Sequence, residues 1–276
     1  MQRIVLLAMA ALAWQAAAIR AAEPIDLTVL TFNILVEIGD HPPAPRWKER
    51  REASAKLILD TKADLIGLQE PTPAQAAYLV KALPGYEALF HKGYPDAMLL
   101  YQRDTFEELG RGEWWLSPTP DRVSIGFGNA LPRLVVWAKL RHKASGRELY
   151  FFNTHFDNSM PSQVRMAELC QQKFAPFVAE GLPMLFVGDF NTEQERGDYP
   201  KLTSGGWKDS YTVCEKASPG GRDDNVRTML EGAGRIDHIF YHGDGWKPLK
   251  WRRLEYPDPN KPLSDHYPVL AEFRLE

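Results

Sequence analysis

Short runs of apolar residues alternate with amphipathic segments along most of this 276-residue chain. Apolar residues recur at helical spacing in three segments, which predicts helices over residues 47–60, 73–83 and 162–180. Apolar or alternating runs bounded by turn residues predict strands over residues 27–32, 64–69, 87–90, 97–102, 106–110, 133–141, 148–153, 183–187, 211–214, 235–241, 251–254 and 268–273. Two strand-rich halves with a few helices are typical of an α/β sandwich, in which two packed sheets are flanked by helices.

The first 22 residues differ from the rest of the chain. Arg3 precedes a short apolar run over residues 4–13, and small residues follow at 16–18 and 21–22. The apolar run is shorter than the roughly 20 residues that cross a bilayer. Residues 1–22 are therefore interpreted as a secretory signal peptide, with an uncleaved membrane anchor as the alternative. We expect the mature protein to be secreted or periplasmic.

Residues 23–276 are predicted to form a single domain, because no repeat, low-complexity linker or long charge run divides them. The whole chain is 44% hydrophobic and 25% charged, which is ordinary for a soluble globular protein. The formal net charge is −3, and removal of Arg3 and Arg20 with the signal peptide takes it to −5. This mild acidity argues against tight, non-specific nucleic-acid binding, although it does not exclude an enzyme that hydrolyses a polyanion.

Only two cysteines are present, Cys170 and Cys214. An exported protein meets an oxidising compartment, which would permit them to pair. Two cysteines in a chain of this length are not a disulfide framework, so buried, unpaired thiols are the preferred interpretation.

An acid and an amide follow the apolar run at residues 183–187. Gly188 ends this predicted strand, and Asp189 and Asn191 come directly after it. Side chains two positions apart in an extended chain point to the same side. Carboxylate and amide oxygens suit Mg²⁺, Ca²⁺ or Mn²⁺, or a water bound to phosphate. The alternative is that Asp189 and Asn191 only open a turn or cap the next helix.

Other predicted strands carry polar residues at their ends or edges. Asp237 lies within the strand at 235–241, and Asp265 stands beside His266, whose imidazole an adjacent acid can orient. Each such residue alone is most often a solvated turn residue. The remaining members of the set are Asn33, Glu70, Asn153, His155 and Asp157. Their recurrence at strand ends indicates a shared site, which only a fold can bring together.

Six short motifs carry a resemblance to a known family. They are Thr31-Phe32-Asn33, Leu68-Gln69-Glu70, Asn153-Thr154-His155, Gly188-Asp189-Phe190-Asn191, Arg235-Ile236-Asp237 and Ser264-Asp265-His266-Tyr267-Pro268-Val269. In order and spacing they resemble the endonuclease/exonuclease/phosphatase superfamily, which includes DNase I, AP endonucleases and neutral sphingomyelinases. The resemblance covers essentially all of residues 23–276 and implies a four-layer α/β sandwich with two packed, mainly antiparallel sheets flanked by helices. Residues 106–110, 115–117 and 131–138 resemble more narrowly a bacterial, often exported, poorly characterised branch.

The resemblance also implies a divalent-metal phosphoesterase with a role for each motif residue. Glu70, with Asn33 and Asp265, would hold Mg²⁺, or Mn²⁺ or Ca²⁺ in its place. His266 would act as general base on the attacking water, with Asp265 or a neighbouring acid holding its tautomer. Further catalytic roles would fall to His155, Asp189, Asn191 and Asp237, and substrate contacts to Arg133, Asn153 and Asp157. The alternatives are a structural salt bridge for Arg133 and a plain loop position for Asp157.

The leading hypothesis is an exported, metal-dependent hydrolase of a phosphodiester or phosphomonoester that works as a monomer without a stable protein partner. A nuclease acting on extracellular DNA or RNA is the alternative within that class. From another class comes a catalytically inactive binding module of the same fold, which the complete set of motif residues opposes. A zinc hydrolase is disfavoured because the sequence has no closely spaced His/Cys ligand cluster.

Overall fold

A computed structural model describes residues 23–37, 44–194, 196–218 and 226–276 of the chain. The strands in these ranges are β1 Ile25–Asn33, β2 Leu65–Gln69, β3 Tyr86–Leu89, β4 Ala97–Gln102, β5 Phe106–Trp115, β6 Leu134–His142, β7 Glu148–His155, β8 Met184–Asp189, β9 Lys208–Asp209, β10 Lys216–Ser218, β11 Asp237–His242, β12 Trp246–Arg253 and β13 Val269–Leu275. The helices are α1 Trp47–Thr61, α2 Pro73–Ala82, α3 Met160–Ala179, α4 Tyr199–Leu202 and α5 Ser210–Val213. The predicted signal peptide, residues 1–22, lies outside the described residues. None of the described helices is both long and apolar enough to cross a membrane.

The strands form two sheets. One has seven strands in the order β10-β12-β13-β1-β2-β4-β3, and the other has six in the order β5-β6-β7-β8-β11-β9. Three pairs are parallel, namely β1 with β2, β7 with β8 and β10 with β12, and all other named pairs are antiparallel. The two sheets are therefore mainly antiparallel, as the sequence predicts.

Alternating side chains divide the interior into three apolar layers. Leu27 and Val29 of β1 meet Phe151 of β7 in the layer between the sheets. The intervening residues of β1 face outward against the helices α1 and α2. The outer face of the second sheet packs against α3 in the same way, through Cys170 and Phe174. Two sheets enclosed by two helical layers make the four-layer sandwich that the resemblance implies.

The sheets approach each other closely where β2 crosses β7. A Cβ atom added to Gly67 would lie 2.4 Å from Val187 Cγ2 and 2.5 Å from Asn153 Oδ1, so only glycine fits. Asn153 is fully buried there, and its Nδ2 donates to the carbonyl oxygens of Leu68 and Met98 at 2.9 Å. Its Oδ1 accepts from Gln69 Nε2 at 2.7 Å. Asn153 therefore joins the two sheets, and the interior bonds of both polar atoms argue against the predicted contact with the substrate.

One predicted strand is a helical turn. Residues 211–214 have β-favouring side chains, but Ser210–Val213 form α5. The preceding Asp209 has an extended backbone, and its Oδ1 accepts from Tyr211 N at 3.0 Å, which is the bond of a helix N-cap. The cap outweighs the intrinsic preference of the following residues. Cys170 and Cys214 are both buried and are not joined by a disulfide bond, as predicted.

Candidate active site

The polar site lies at one edge of both sheets. The parallel strands β1 and β2 end there in Asn33 and Gln69, and β7 and β8 end there in His155 and Asp189. Helical crossovers α1 and α3 connect the two parallel pairs, so each pair places its carboxyl ends side by side. Strand β11 runs antiparallel to β8 and begins opposite that end, with Asp237 paired to Asp189.

Asn33 joins two carboxylates that lie far apart in the sequence. Its Nδ2 donates to Glu70 Oε1 at 3.1 Å and to Asp189 Oδ2 at 3.0 Å. The other oxygen of Glu70 accepts from Val36 N at 2.9 Å. Asn33 Oδ1, the atom that a metal would bind, accepts from Leu35 N at 3.0 Å. In this orientation Asn33 holds Glu70 and Asp189 together at the site.

His266 also lies close to Asp189. Its Nδ1 lies 2.9 Å from Asp237 Oδ2, and its Nε2 lies 3.6 Å from Asp189 Oδ2. Burial alone would lower the pKa of His266, but the carboxylates of Asp237 and Asp189 outweigh it and raise the pKa to about 10. Asp237 therefore holds this imidazole. Asp265, the first candidate for that role, instead accepts from Ser264 Oγ at 3.2 Å.

His155 approaches the same carboxylate as His266. Its Nε2 lies 3.5 Å from Asp189 Oδ2 and 3.4 Å from Asn191 Nδ2. Its Nδ1 lies 2.7 Å from Arg133 Nη1 and 3.2 Å from Asp96 Oδ1. Burial and Arg133 act to lower the pKa of His155, but Asp96 and Asp189 raise it overall. Each ring nitrogen of His155 thus lies near at least one charged side chain.

Asp96 is a site residue that the sequence analysis missed. Its Oδ2 accepts from Arg133 Nη1 at 2.8 Å, so Arg133 forms the salt bridge that was the alternative to a substrate contact. Burial would raise the pKa of Asp96, but His155 and Arg133 lower it overall. Asp96 precedes β4 and stands in none of the six motifs that carry the family resemblance. Because β4 is antiparallel to β2, with Ala97 paired to Gln69, its first residues lie at the same edge.

Asn191 has a left-handed backbone, with φ at 51°. Its N–H donates to Asp189 Oδ1 at 2.8 Å, and its Nδ2 donates to the carbonyl oxygen of Phe156 at 3.0 Å. These bonds place the amide beside His155. Asp157, by contrast, accepts through Oδ1 from Ser159 N and from Ser162 Oγ, both at 3.0 Å. Asp157 thus holds the start of α3 through Oδ1, which favours the loop alternative over the predicted substrate contact.

The sequence matches the profile of the Endonuclease/Exonuclease/phosphatase family over residues 30–266. The chain belongs to this family. Members of the family are hydrolases that act on phosphoester bonds, and they generally depend on a divalent metal. The matched segment includes the whole set of residues from Asn33 to His266 described above.

Solved structures of the family superimpose on almost the whole chain. An endonuclease/exonuclease/phosphatase family protein from Bacteroides thetaiotaomicron is 29% identical, with a TM-score of 0.82 over 92% of this chain and 99% of that chain. A mannosyl-6-phosphatase from the same organism is 29% identical, with a TM-score of 0.79 over 90% of this chain and 99% of that chain. The catalytic domain of human Nocturnin, 19% identical, shares the fold, with a TM-score of 0.71 over 92% of this chain and 97% of that chain.

The donor set fits a divalent cation of the kind this family uses. Asp189, Asp237 and His266 offer ligand atoms that all lie within 4.8 Å of one another. Among the described residues, no hydrogen-bond donor reaches the buried Oδ1 of Asp237. Glu70 brings a third carboxylate close to this group, because Asn33 Nδ2 donates to both Glu70 and Asp189. Several carboxylate oxygens around one point are the ligands that Mg²⁺, Mn²⁺ and Ca²⁺ prefer.

Proposed function

We propose that this protein is a metal-dependent hydrolase of a phosphoester bond. The observation that carries the proposal is the convergence on Asp189 Oδ2 of Asn33, His155 and His266, with His266 held by Asp237. Two imidazoles and an amide around one carboxylate can bind a tetrahedral phosphate and activate a water beside it. The family match and the similarity to the 29% identical mannosyl-6-phosphatase support the proposal of phosphoester hydrolysis.

Glu70 is the proposed principal metal ligand, with Asn33 beside it. The loop that carries Asp265 lies against Asn33, since Ser264 Oγ donates to the carbonyl oxygen of Asn33 at 2.6 Å, so Asp265 is the proposed third contributor. Because His266 Nδ1 is held by Asp237 Oδ2, we assign His266 to proton transfer. Asp189 and Oδ1 of Asp237, which no donor among the described residues reaches, remain as further oxygens for the cation. When bound, Mg²⁺ or Mn²⁺ would polarise a phosphoryl oxygen and offset negative charge on the leaving group.

The proton-transfer roles follow from the hydrogen bonds. With Nδ1 held by Asp237, His266 keeps Nε2 free to take a proton from the attacking water, and Asp189 lies close enough to orient that water. Only neutral His266 can take this proton. The pKa of His266 would be lowered by a divalent cation bound at the neighbouring carboxylates, which would favour the neutral form. His155 and Asn191, on the other side of Asp189, would donate to the phosphoryl oxygens.

A small phosphoester is the proposed substrate class. The mature chain carries a formal charge of −5, which offers no electrostatic attraction for a long polyanion. The mannosyl-6-phosphatase named above makes hexose 6-phosphates the first natural substrates to try. We also propose that the protein is exported and monomeric.

The test is hydrolysis of p-nitrophenyl phosphate, bis-p-nitrophenyl phosphate and mannose 6-phosphate with EDTA, Mg²⁺, Mn²⁺ or Ca²⁺. We expect metal-dependent turnover that falls by about 10²-fold or more in Glu70→Gln and in Asp237→Asn. Glu107→Gln, which changes an exposed carboxylate paired with Arg141, is the matched control and should retain activity. Turnover that is insensitive to EDTA, or the absence of turnover on these substrates, plasmid DNA and RNA, would refute the proposal.

A further inference from the structure

A second polar cluster is buried behind the site, on the outer side of β9 and β11. Asp209 Oδ2 lies 2.7 Å from Arg235 Nη1, 2.9 Å from Tyr199 Oη and 3.1 Å from His238 Nδ1. Arg235 also packs on the ring of Tyr211, with its Cζ 4.4 Å from the ring centroid. Asp209, Arg235 and His238 are at least 95% buried, and the proposed reaction uses none of them.

His238 connects this cluster to the active-site loop. It follows Asp237 in β11, so its side chain points to the face of the sheet opposite to that of Asp237. Its Nε2 lies 2.8 Å from the carbonyl oxygen of Thr192. A carbonyl oxygen can only accept, so Nε2 carries a hydrogen in either charge state of the ring. Arg235 and Asp209 hold Nδ1 from behind, at 2.7 and 3.1 Å.

Thr192 follows Asn191, whose backbone is left-handed. The carbonyl oxygen of Asn191 accepts from Gln163 Nε2 of α3 at 2.6 Å, and the next carbonyl oxygen accepts from His238. Asn adopts this conformation more readily than most non-glycine residues, and the two hydrogen bonds to consecutive carbonyl oxygens hold the backbone in it. Two side chains from different elements thus fix two consecutive peptide groups, and with them the amide of Asn191 beside His155.

We propose that His238 is a positioning residue that sets the place of Asn191, and through it the phosphate contacts of the site. The Asp209–Arg235 pair fixes the orientation of the His238 ring, and His238 transmits that orientation to the backbone at Thr192. In its effect on turnover this inference rests on the proposed phosphoester hydrolysis. Its effect on the backbone is independent of any substrate.

The test compares two amide substitutions of His238 in the full-length protein. The amide of His238→Gln reaches the place of Nε2 and can still donate to Thr192, whereas that of His238→Asn reaches only the place of Nδ1. We expect kcat on p-nitrophenyl phosphate to fall about 10- to 100-fold in His238→Asn, with KM changed less than about threefold. His238→Gln should stay within about threefold of the wild type in both constants.

Hydrogen–deuterium exchange supplies the readout that needs no activity. Peptides covering residues 189–194 should exchange faster in His238→Asn and at the wild-type rate in His238→Gln. Leu140→Ala is the control for general destabilisation, since Leu140 is paired with Leu149, roughly 20 Å along β7 from His155. It should lower Tm without changing kcat or the local exchange.

Each outcome decides the inference. Equal kcat and equal exchange in the Asn and Gln variants would overturn it, as would an effect that merely follows Tm across all three variants. A wild-type protein without turnover on any phosphoester would refute the proposed function alone, and the exchange comparison would then still decide whether His238 fixes the loop.

Discussion

Glu70 and Asn191 share a feature that neither sequence motif reveals. Both are non-glycine residues with positive φ, at 67° and 51°, and both present a polar side chain to the site. A left-handed backbone costs Glu70 about 1–2 kcal/mol and costs Asn191 less, because Asn adopts this conformation more readily. Hydrogen bonds from Glu70 N to Asp96 O and from Asn191 N to Asp189 Oδ1 compensate for part of this cost. Strain of this kind at two facing positions is typical of functional sites.

At the same scale, Asp96 is expected to be the most sensitive residue outside the family motifs. Asp96→Asn removes the negative charge from the nearly buried salt bridge with Arg133, which should lower the free energy of unfolding by up to about 3–5 kcal/mol. It should also lower kcat/KM at least tenfold, because His155 loses a charged partner. Urea unfolding and steady-state kinetics measure the two effects.

Asp60→Asn is the matched control for Asp96→Asn. It breaks an ion pair with Lys56 in which both side chains are more than 60% exposed, so stability and activity should change little. If Asp96→Asn were as mild as this control, the account of the Asp96–Arg133–His155 group would be wrong.

At the scale of elements, the parallel pairs β1–β2 and β7–β8 determine where the site lies. Each places two carboxyl ends at one edge, and the antiparallel neighbours β4 and β11 add their amino ends there. The positions of Asp96 and Asp237 before or at the start of strands follow from that direction. The close crossing of β2 and β7 then sets the distance between the halves of the site.

That close crossing is tested by Gly67→Ala. The new methyl group would overlap Val187 and Asn153, so we expect a loss of about 1–3 kcal/mol in the free energy of unfolding. Gly85→Ala places the same methyl group where no atom lies within 4 Å, and it should leave stability nearly unchanged. Equal effects in the two variants, measured by urea unfolding, would show that the sheets tolerate a wider spacing.

The buried cluster of Asp209, Arg235 and His238 should make the free energy of unfolding depend on pH in the acidic range. Burial acts to raise the pKa of Asp209, but Arg235 and His238 outweigh it and hold that pKa well below its usual range. Below about pH 4 the unfolded chain therefore binds a proton that the folded Asp209 does not, so stability falls as pH falls. For Asp209 alone the slope is at most about 1.4 kcal/mol per pH unit. Urea unfolding at pH 4 and pH 3 should show a smaller slope in Asp209→Asn than in the wild type, and an equal slope would contradict this assignment.

At the scale of the whole molecule, the first 22 residues carry the proposal of export. When the whole chain is expressed in a Gram-negative host, we expect the protein in the periplasm or medium. Its mass should be lower than that of the encoded chain by the mass of about the first 22 residues. A chain that begins at residue 23 should stay in the cytoplasm. Cell fractionation and mass spectrometry measure this, and a full-length mass in the membrane fraction would support the anchor alternative instead.

The layered fold, most of the strands and helices, and most of the residues that meet at the site follow from the sequence and its family motifs. Periodicity places apolar residues on alternate faces, and the motif residues at strand ends supplied Asn33, Glu70, His155, Asp189, Asn191 and His266. The sequence also predicted that the two cysteines are buried and form no disulfide bond. These features are local, because they depend on spacing along the chain.

The folded arrangement of the strands sets which partner each polar residue has. It paired His266 with Asp237, brought in Asp96 from the start of β4, and placed Asn153 between the sheets and Asp157 at the start of α3. It also turned residues 210–213 into a helical turn, because the cap at Asp209 outweighs local preference. Strand direction and the spacing of the sheets fix these contacts, and neither can be obtained from periodicity along one chain.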